Sequence, residues 1–347
     1  MIEPLLRIDE KLAKYSWPEL EIVSKPVIES GQVLVIASGF EDRAWVYLDE
    51  ALKNGCTGFR VIAIEYRPYY DENRKEQLES QCRSADIEPV WVVYDRCDPT
   101  GIGECVLGQI DSDASVMVDI SGMSRLLIVQ LLVALGRRPQ GYENCNLIYA
   151  EAAEYPPSQA EFESDCAKVR EADPEPAFIS WGVQALAVTP ELTSPSMSGQ
   201  AIRLIAFPSF NRAQLRQCLD ELQPTHVDIV DGVPPYDAFL WRTDAIRRWN
   251  SQAAEAIPNR VDHQTSTLYY GETLHLILRI YAAHSAFDKL VVSPTGSKMQ
   301  SVAVGIAAAY LQDIQVVYPT PMAFTDTERH TVGVANYFQL SFEGVHL

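Results

Sequence analysis

VLVIASGF (33–40) decides how this chain is read, because RLIAFPSF (203–210) repeats it. Each is a short apolar run ending in turn-forming residues and a phenylalanine. A continuous apolar run of this length suits a strand covered on both faces, as in a parallel sheet. Working outward from this pair, further landmarks recur in the same order. Tyr70-Asp71 is answered by Tyr236-Asp237, Gly103-Glu104 by Gly271-Glu272, Gly122 by Gly296, and Tyr149 by Tyr318. Their offsets are 166, 168, 174 and 169 residues, against 170 for Phe40 and Phe210. Five landmarks at nearly constant spacing predict an internal duplication, with a shared cleft between two similar modules.

Strand and helix patterns alternate around these landmarks. After VLVIAS comes a helical pattern at 42–54, then FRVIAIEY, NRKEQLESQCRSA, PVWVVY, ECVLGQI, ASVMVDIS, SRLLIVQLLVALG and NLIYAEA. The second half runs RLIAF, RAQLRQCLDEL, HVDIV, DAFLWRTDAIRRWNSQAAEA, GETLHLILRIYAAHSA, KLVVSP, KMQSVAVGIAAAYLQ and IQVVYP. Strands separated by helices of this length imply parallel sheets with right-handed crossovers. The expected fold class is α/β, as two tandem Rossmann-like three-layer modules with mainly parallel sheets. Module one spans 1–186, with a lead-in of helix and extended chain over 1–30 packed against it and an acidic, exposed insertion at 158–177. AVTPELTSPSMSGQ (187–200) reads as a linker, and module two spans 201–347.

Composition narrows the function. The chain has 347 residues, a formal net charge of −19 and a pI near 4.7. That balance argues against duplex DNA or an anionic membrane as partner, since phosphate neutralisation needs an extensive basic face. A small anion remains compatible, because helix N-termini and one or two cations suffice locally. The seven cysteines form no CxxC pair, and the six histidines, all in the second half, show no HxxxH or HExxH spacing. No structural metal and no disulfide framework are expected, which fits a reducing cytoplasm. No apolar stretch approaches the ~18–20 residues of a membrane helix, and the charged N-terminal stretch has no signal-peptide core. GxGxxG and Walker A loops are absent, which argues against a dinucleotide dehydrogenase or a P-loop enzyme.

In an open parallel sheet, ligands bind beyond the carboxyl ends of the strands. The repeats place two loops per module there. The first-strand loops carry Ser38, Gly39, Phe40, Glu41, Asp42 and Arg43, matched by Pro208, Ser209, Phe210, Asn211 and Arg212. The later loops carry Asp119, Ser121, Gly122, Met123, Ser124 and Arg125, matched by Ser293, Thr295, Gly296, Ser297 and Lys298. A hydroxyl, a glycine and a cation opening a helix together supply donors, close backbone approach and charge for an anion. The alternative is structural: Ser121 and Thr295 as N-caps, with the glycines closing tight turns.

The SPTGSKMQ loop (293–300), opening an Ala-rich helix, resembles the threonine-glycine-lysine signature of CRISPR-associated Rossmann-fold (CARF) sensor domains. It is also similar to the fused two-unit sensor of cyclic-oligonucleotide anti-phage systems. That resemblance implies a nucleotide or oligonucleotide messenger bound across the inter-module cleft, no permanent cofactor, and a signal passed to a separate effector protein in phage defence. By it, Ser38, Gly39, Ser209, Phe210, Thr295, Gly296, Ser297 and Lys298 would contact ligand, with Ser121, Gly122 and Arg125 opposite; Arg43 is counted with them as the cation of its loop. Two departures stand out. The usual double glycine is reduced to Gly296-Ser297, and the first module carries SGMSR.

Two other classes of function stay open. Carboxylates beside tyrosines, chiefly Asp71 and Asp237, would serve an enzyme that cleaves or transfers a nucleotide or nucleoside in the cleft. Their structural alternative is helix capping. A scaffold subunit of a larger defence complex is the third reading.

Overall fold

Two mainly parallel sheets, sharing one order over five strands each, form the body of the protein. The computed structural model describes residues 7–169, 180–255, 257, 259–324 and 331–342. The first half carries α1 (Ile8–Lys14), β1 (Glu21–Ile22), β2 (Val33–Ala37), α2 (Val46–Lys53), β3 (Arg60–Arg67), α3 (Lys75–Ser84) and β4 (Val90–Asp95). It continues with α4 (Ile102–Leu107), β5 (Val116–Asp119), α5 (Arg125–Gly136), β6 (Cys145–Glu151) and α6 (Gln159–Val169). Two short strands, β7 (Ser180–Trp181) and β8 (Ala185–Ala187), lead to β9 (Ile202–Ala206), α7 (Arg212–Leu222), β10 (His226–Val233) and α8 (Trp241–Glu255). Then come β11 (Arg260–Ser266), α9 (Tyr270–His284), β12 (Lys289–Ser293), α10 (Lys298–Tyr310), β13 (Gln315–Val316), β14 (Tyr318–Thr320), β15 (Ala323–Phe324) and β16 (Asn336–Ser341).

The larger sheet is ordered β1-β16-β6-β5-β2-β3-β4 and the smaller β11-β10-β9-β12-β13. Without β1 and β16, both read as third, second, first, fourth and fifth strand of their module, and every such neighbour pair is parallel. The fold is α/β, and the strand order reverses between β2 and β5 in one module and between β9 and β12 in the other. Those two reversals are where open sheets place ligands.

Alternation along β2 explains the layers. Leu34 and Ile36 face Leu48, Leu78 and Cys82 on one side, while Val33, Val35 and Ala37 face a second core on the other. That second core does not stop at the module edge. It runs through α4, α5, α10 and α9 and ends on Ile205, Val230 and Val292 of the smaller sheet. Every residue of α5 from Leu126 to Gly136 is buried, as is every residue of α10 from Met299 to Ala309. A helix apolar all round is one covered all round. Here α5 and α10 press together, and a Cβ on Gly305 would lie 2.8 Å from Leu132 Cβ.

Three expectations change. The lead-in helix α1 lies on the second module, against α9: Leu12 is buried there and the Tyr270 hydroxyl donates to Pro18 O at 2.7 Å. The segment 201–347 is not confined to the second module, because β16 pairs antiparallel with β6 and extends the first sheet. Finally, the insertion at 158–177 is not wholly exposed. Its helix α6 buries Phe162 against Phe210 and Trp249 of the second half, while 170–177 fall outside the described residues. The linker is docked as well, with Glu191 accepting from Gly101 N and Gln130 Nε2 at 3.1 and 2.8 Å. All seven cysteines are unpaired. His330 and His346 lie outside the described residues.

Candidate functional site

At the β2/β5 reversal the loops are packed tightly. A side chain on Gly122 would meet Ala37 O at 2.9 Å, so only glycine fits. Gly39 lies beside it: a Cβ there would be 3.7 Å from Gly122 O. Ser38 is buried and its hydroxyl donates to Ile64 O; Ser121 is buried and its hydroxyl accepts from Ala150 N at 2.7 Å. Both serines therefore tie strands together. The cap of α5 is Ser124, which accepts from Leu127 N.

The β9/β12 reversal follows the same plan. Thr295 donates to Phe207 O, and a Cβ on Gly296 would lie 2.3 Å from Gln300 Oε1 and 3.1 Å from Phe207 Cβ. The cap of α10 is Ser297, in a capping box with Gln300. The expected caps Ser121 and Thr295 are thus corrected: Ser124 and Ser297 cap the two helices, while Ser121 and Thr295 bond to backbone groups of neighbouring strands and loops. Ser209 folds onto its own loop, donating to Gln214 Oε1 and accepting from Asn211 N. Phe210 packs into the cluster of Phe162, Trp241 and Trp249, away from any open surface.

The decisive contacts run between modules. Arg125 Nε, at the start of α5, donates to Gly296 O of the other module at 2.7 Å. Lys298 Nζ, at the start of α10, donates to Ser121 O and, at 2.9 Å, to Met123 O of the first module. Each helix start thus sends its cation into the partner loop, and both loops meet at one seam. Arg43, by contrast, is buried within the first module, with Nη1 on the Tyr149 hydroxyl and Ala150 O and Nε on Glu41 Oε2 at 3.1 Å.

Two acids that the loop reading left without a role join this seam. Glu41 Oε2 lies 3.6 Å from Lys298 Nζ. Burial alone would raise its carboxyl, but Arg43, Lys298 and Arg125 hold it down at about 2. Asp119 is fully buried; one oxygen accepts from Ser121 N and the other, Oδ2, has no partner among the described residues. Burial pushes Asp119 up to about 6. The second module has Asn211 and Ser293 at the matching positions, so comparing the two copies is the signal that would have exposed the pair.

Among the described residues Lys298 is the cation most strongly shifted downward. Burial, only partly offset by Glu41, brings its ammonium from an ordinary 10.5 down to about 7. Between those values the folded chain holds fewer protons here than the unfolded one, so stability from this group rises with pH through that window and is lost as pH falls through about 7. The stability of the wild type relative to Lys298→Met is expected to rise between about pH 7 and about pH 8.5, read from urea midpoints. A flat difference contradicts this.

Asp71 and Asp237 open matching single turns of 3-10 helix, at Asp71–Asn73 and Asp237–Phe239, and both side chains are exposed. Tyr236 reaches across and donates to Glu151 Oε2 of the first module at 3.2 Å, whereas Tyr70 stays in its own module beneath Arg96. Gly103 and Gly271 both sit in the first turn of a helix. Two surface hollows, of about 660 and 250 Å³, lie away from the seam, one between α6 and α8 and one between the 96–100 turn and β8. No helix among the described residues is long and apolar enough to cross a membrane.

No protein-family profile matches the chain, and no curated protein matches it. Among solved structures it is similar to Can2 from Sulfobacillus thermosulfidooxidans in complex with cyclic tetra-adenylate, at 14% identity over 34% of this chain and 31% of that one, with a TM-score of 0.26. The match therefore spans less than a third of that protein. A putative universal stress protein from Pseudomonas aeruginosa aligns over 84% of this chain and 93% of its own, at 8% identity and a TM-score of 0.23. The N-terminal domain of Candida albicans trehalose-6-phosphate phosphatase aligns over 87% and 89%, at 13% identity and 0.19. At such scores the likeness carries no inference, and the chain's own geometry has to supply the function.

Proposed function

We propose that this protein binds a small nucleotide-type anion at the seam between its two modules and passes that occupancy to a separate effector. The observation that supports it is the reciprocal crossing of Arg125 and Lys298 between helix starts at the two strand-order reversals. Two helix N-termini and two cations converge where the fold is suited to an anion. The cations are not idle, since backbone carbonyls of the partner loops now accept from them. Among the described residues Arg125 gives only Nε to Gly296 O, which leaves the rest of its donor fork for a phosphate. A ligand that drew Lys298 from the first-module loop would alter the α5/α10 contact and so the spacing of the two sheets. The setting in phage defence rests on the resemblance of the SPTGSKMQ loop alone. Asp71 and Asp237 carry the enzyme reading, and nothing in their surroundings favours it over exposed turn positions.

Native mass spectrometry with mono-, di- and cyclic oligonucleotides tests the reading. A stoichiometric adduct is expected that weakens about tenfold or more in Arg125→Ala and in Lys298→Ala, the scale of one charge-assisted hydrogen bond. Thermal melts confirm that the variants remain folded. Binding changed less than twofold in both variants would sink the site. A ligand whose mass changes on incubation, with turnover lost in Asp71→Asn or Asp237→Asn, would move the protein to the enzyme class.

A further inference from the structure

Glu41 does not fit a loop built to receive an anion. Its counterpart in the second module, Asn211, is neutral and donates Nδ2 to Ser180 Oγ and Gly182 O at 3.2 and 3.1 Å. Glu41 instead turns toward the seam, with Oε2 3.1 Å from Arg43 Nε and 3.6 Å from Lys298 Nζ. Its side chain is 20% exposed. Lys298 is thereby surrounded: two carbonyls of the first module accept from it and a carboxylate stands beside it. Arg125 has Gly296 O and no acid within salt-bridge distance among the described residues. The two halves of the seam are therefore electrostatically unequal.

We infer that Glu41 is a built-in competitor that occupies the anion position beside Lys298, so that a ligand enters on the Arg125 side and must displace the Glu41 carboxylate to reach Lys298. This rests on the seam being the binding site and names the residue that sets its selectivity. A ligand with one anionic group is met by Arg125 and the start of α10. A ligand with two is needed to compete for both cations, because a carboxylate facing an incoming phosphate is a like charge in a poorly solvated place.

The test compares wild type and Glu41→Gln, titrated with inorganic pyrophosphate by calorimetry. Glutamine keeps an acceptor for Arg43 Nε, and thermal melts fix a temperature at which both proteins are folded. The expected result is binding about tenfold or more tighter in Glu41→Gln, the scale of removing one close opposing charge, with the gain lost in Glu41→Gln/Lys298→Ala. Equal affinity, or weaker binding in Glu41→Gln, overturns the inference and leaves the seam site standing. So does pyrophosphate ignored by both proteins while the wild type retains a nucleotide. If the wild type retains no nucleotide and neither protein binds pyrophosphate, the site itself fails and the inference with it.

Discussion

Arg203→Met is expected to cost about 3–5 kcal/mol of stability, the scale of removing one partner from a buried ion pair. Arg203 sits near the amino end of β9, in the middle of the smaller sheet, with its side chain 8% exposed. Nε donates to Asp288 Oδ2 at 2.8 Å and Nη1 to Asp228 Oδ2 at 3.0 Å, and His263 Nε2 lies 2.8 Å from the other oxygen of Asp228. Methionine matches the stem but supplies no charge, leaving two carboxylates buried side by side. The loss should appear as a lower urea midpoint with an unchanged slope. Neutralising both acids in Arg203→Met/Asp228→Asn/Asp288→Asn should recover much of it, because the cost comes from the stranded charges. If Arg203→Met shifts stability by less than about 1 kcal/mol, the network is a surface-type one and its burial carries little weight.

The second large effect belongs to the helix crossing. Gly305→Val is expected to destabilise by about 1–3 kcal/mol through overpacking. A Cβ at this position would lie 2.8 Å from Leu132 Cβ, 2.9 Å from Leu132 Cδ1 and 3.3 Å from Val129 Cα, and the last is backbone. The sign is sharper still in Gly305→Ala. In an exposed helix that change gains roughly 1 kcal/mol from propensity; here it should lose stability, because α5 and α10 have to separate to admit the methyl group. A gain in melting temperature for Gly305→Ala would mean that the two helices are less tightly apposed than this. Separation at this point also shifts Arg125 and Lys298, which open the same two helices, so weaker nucleotide binding should accompany the loss.

Much of the architecture could be read from the chain because each module's central strands are buried on both faces and appear as plain apolar runs. RAQLRQCLDEL coincides with α7 residue for residue. RVDHQTS could not be read that way: β11 is an edge strand, its first residues face solvent, and no apolar run marks it. β16 was invisible for another reason. Its partner β6 lies some 190 residues earlier, and pairing at that distance leaves no local trace. SRLLIVQLLVALG did hold an unused clue. A helix flanking one sheet needs one apolar stripe, and this one is apolar throughout because a second helix covers its back. At the site, repeat spacing led to Arg125 and Lys298 but could not show that each would reach into the other copy's loop. Phe210 and Arg43 share those loops yet turn inward, a choice made by the aromatic cluster around one and by Glu41 and Tyr149 around the other.

The return of β16 to the first sheet also bears on how the chain is made. During synthesis β6 emerges with all seven residues destined for burial and with one edge unpaired. An apolar strand edge left open is a place where chains join one another. That edge waits until some 190 further residues have been made, so the first module stays incomplete throughout the synthesis of the second. The open edge of the first module is therefore exposed while the second is being made, and docking of β16, rather than collapse of the first strands, is what covers it.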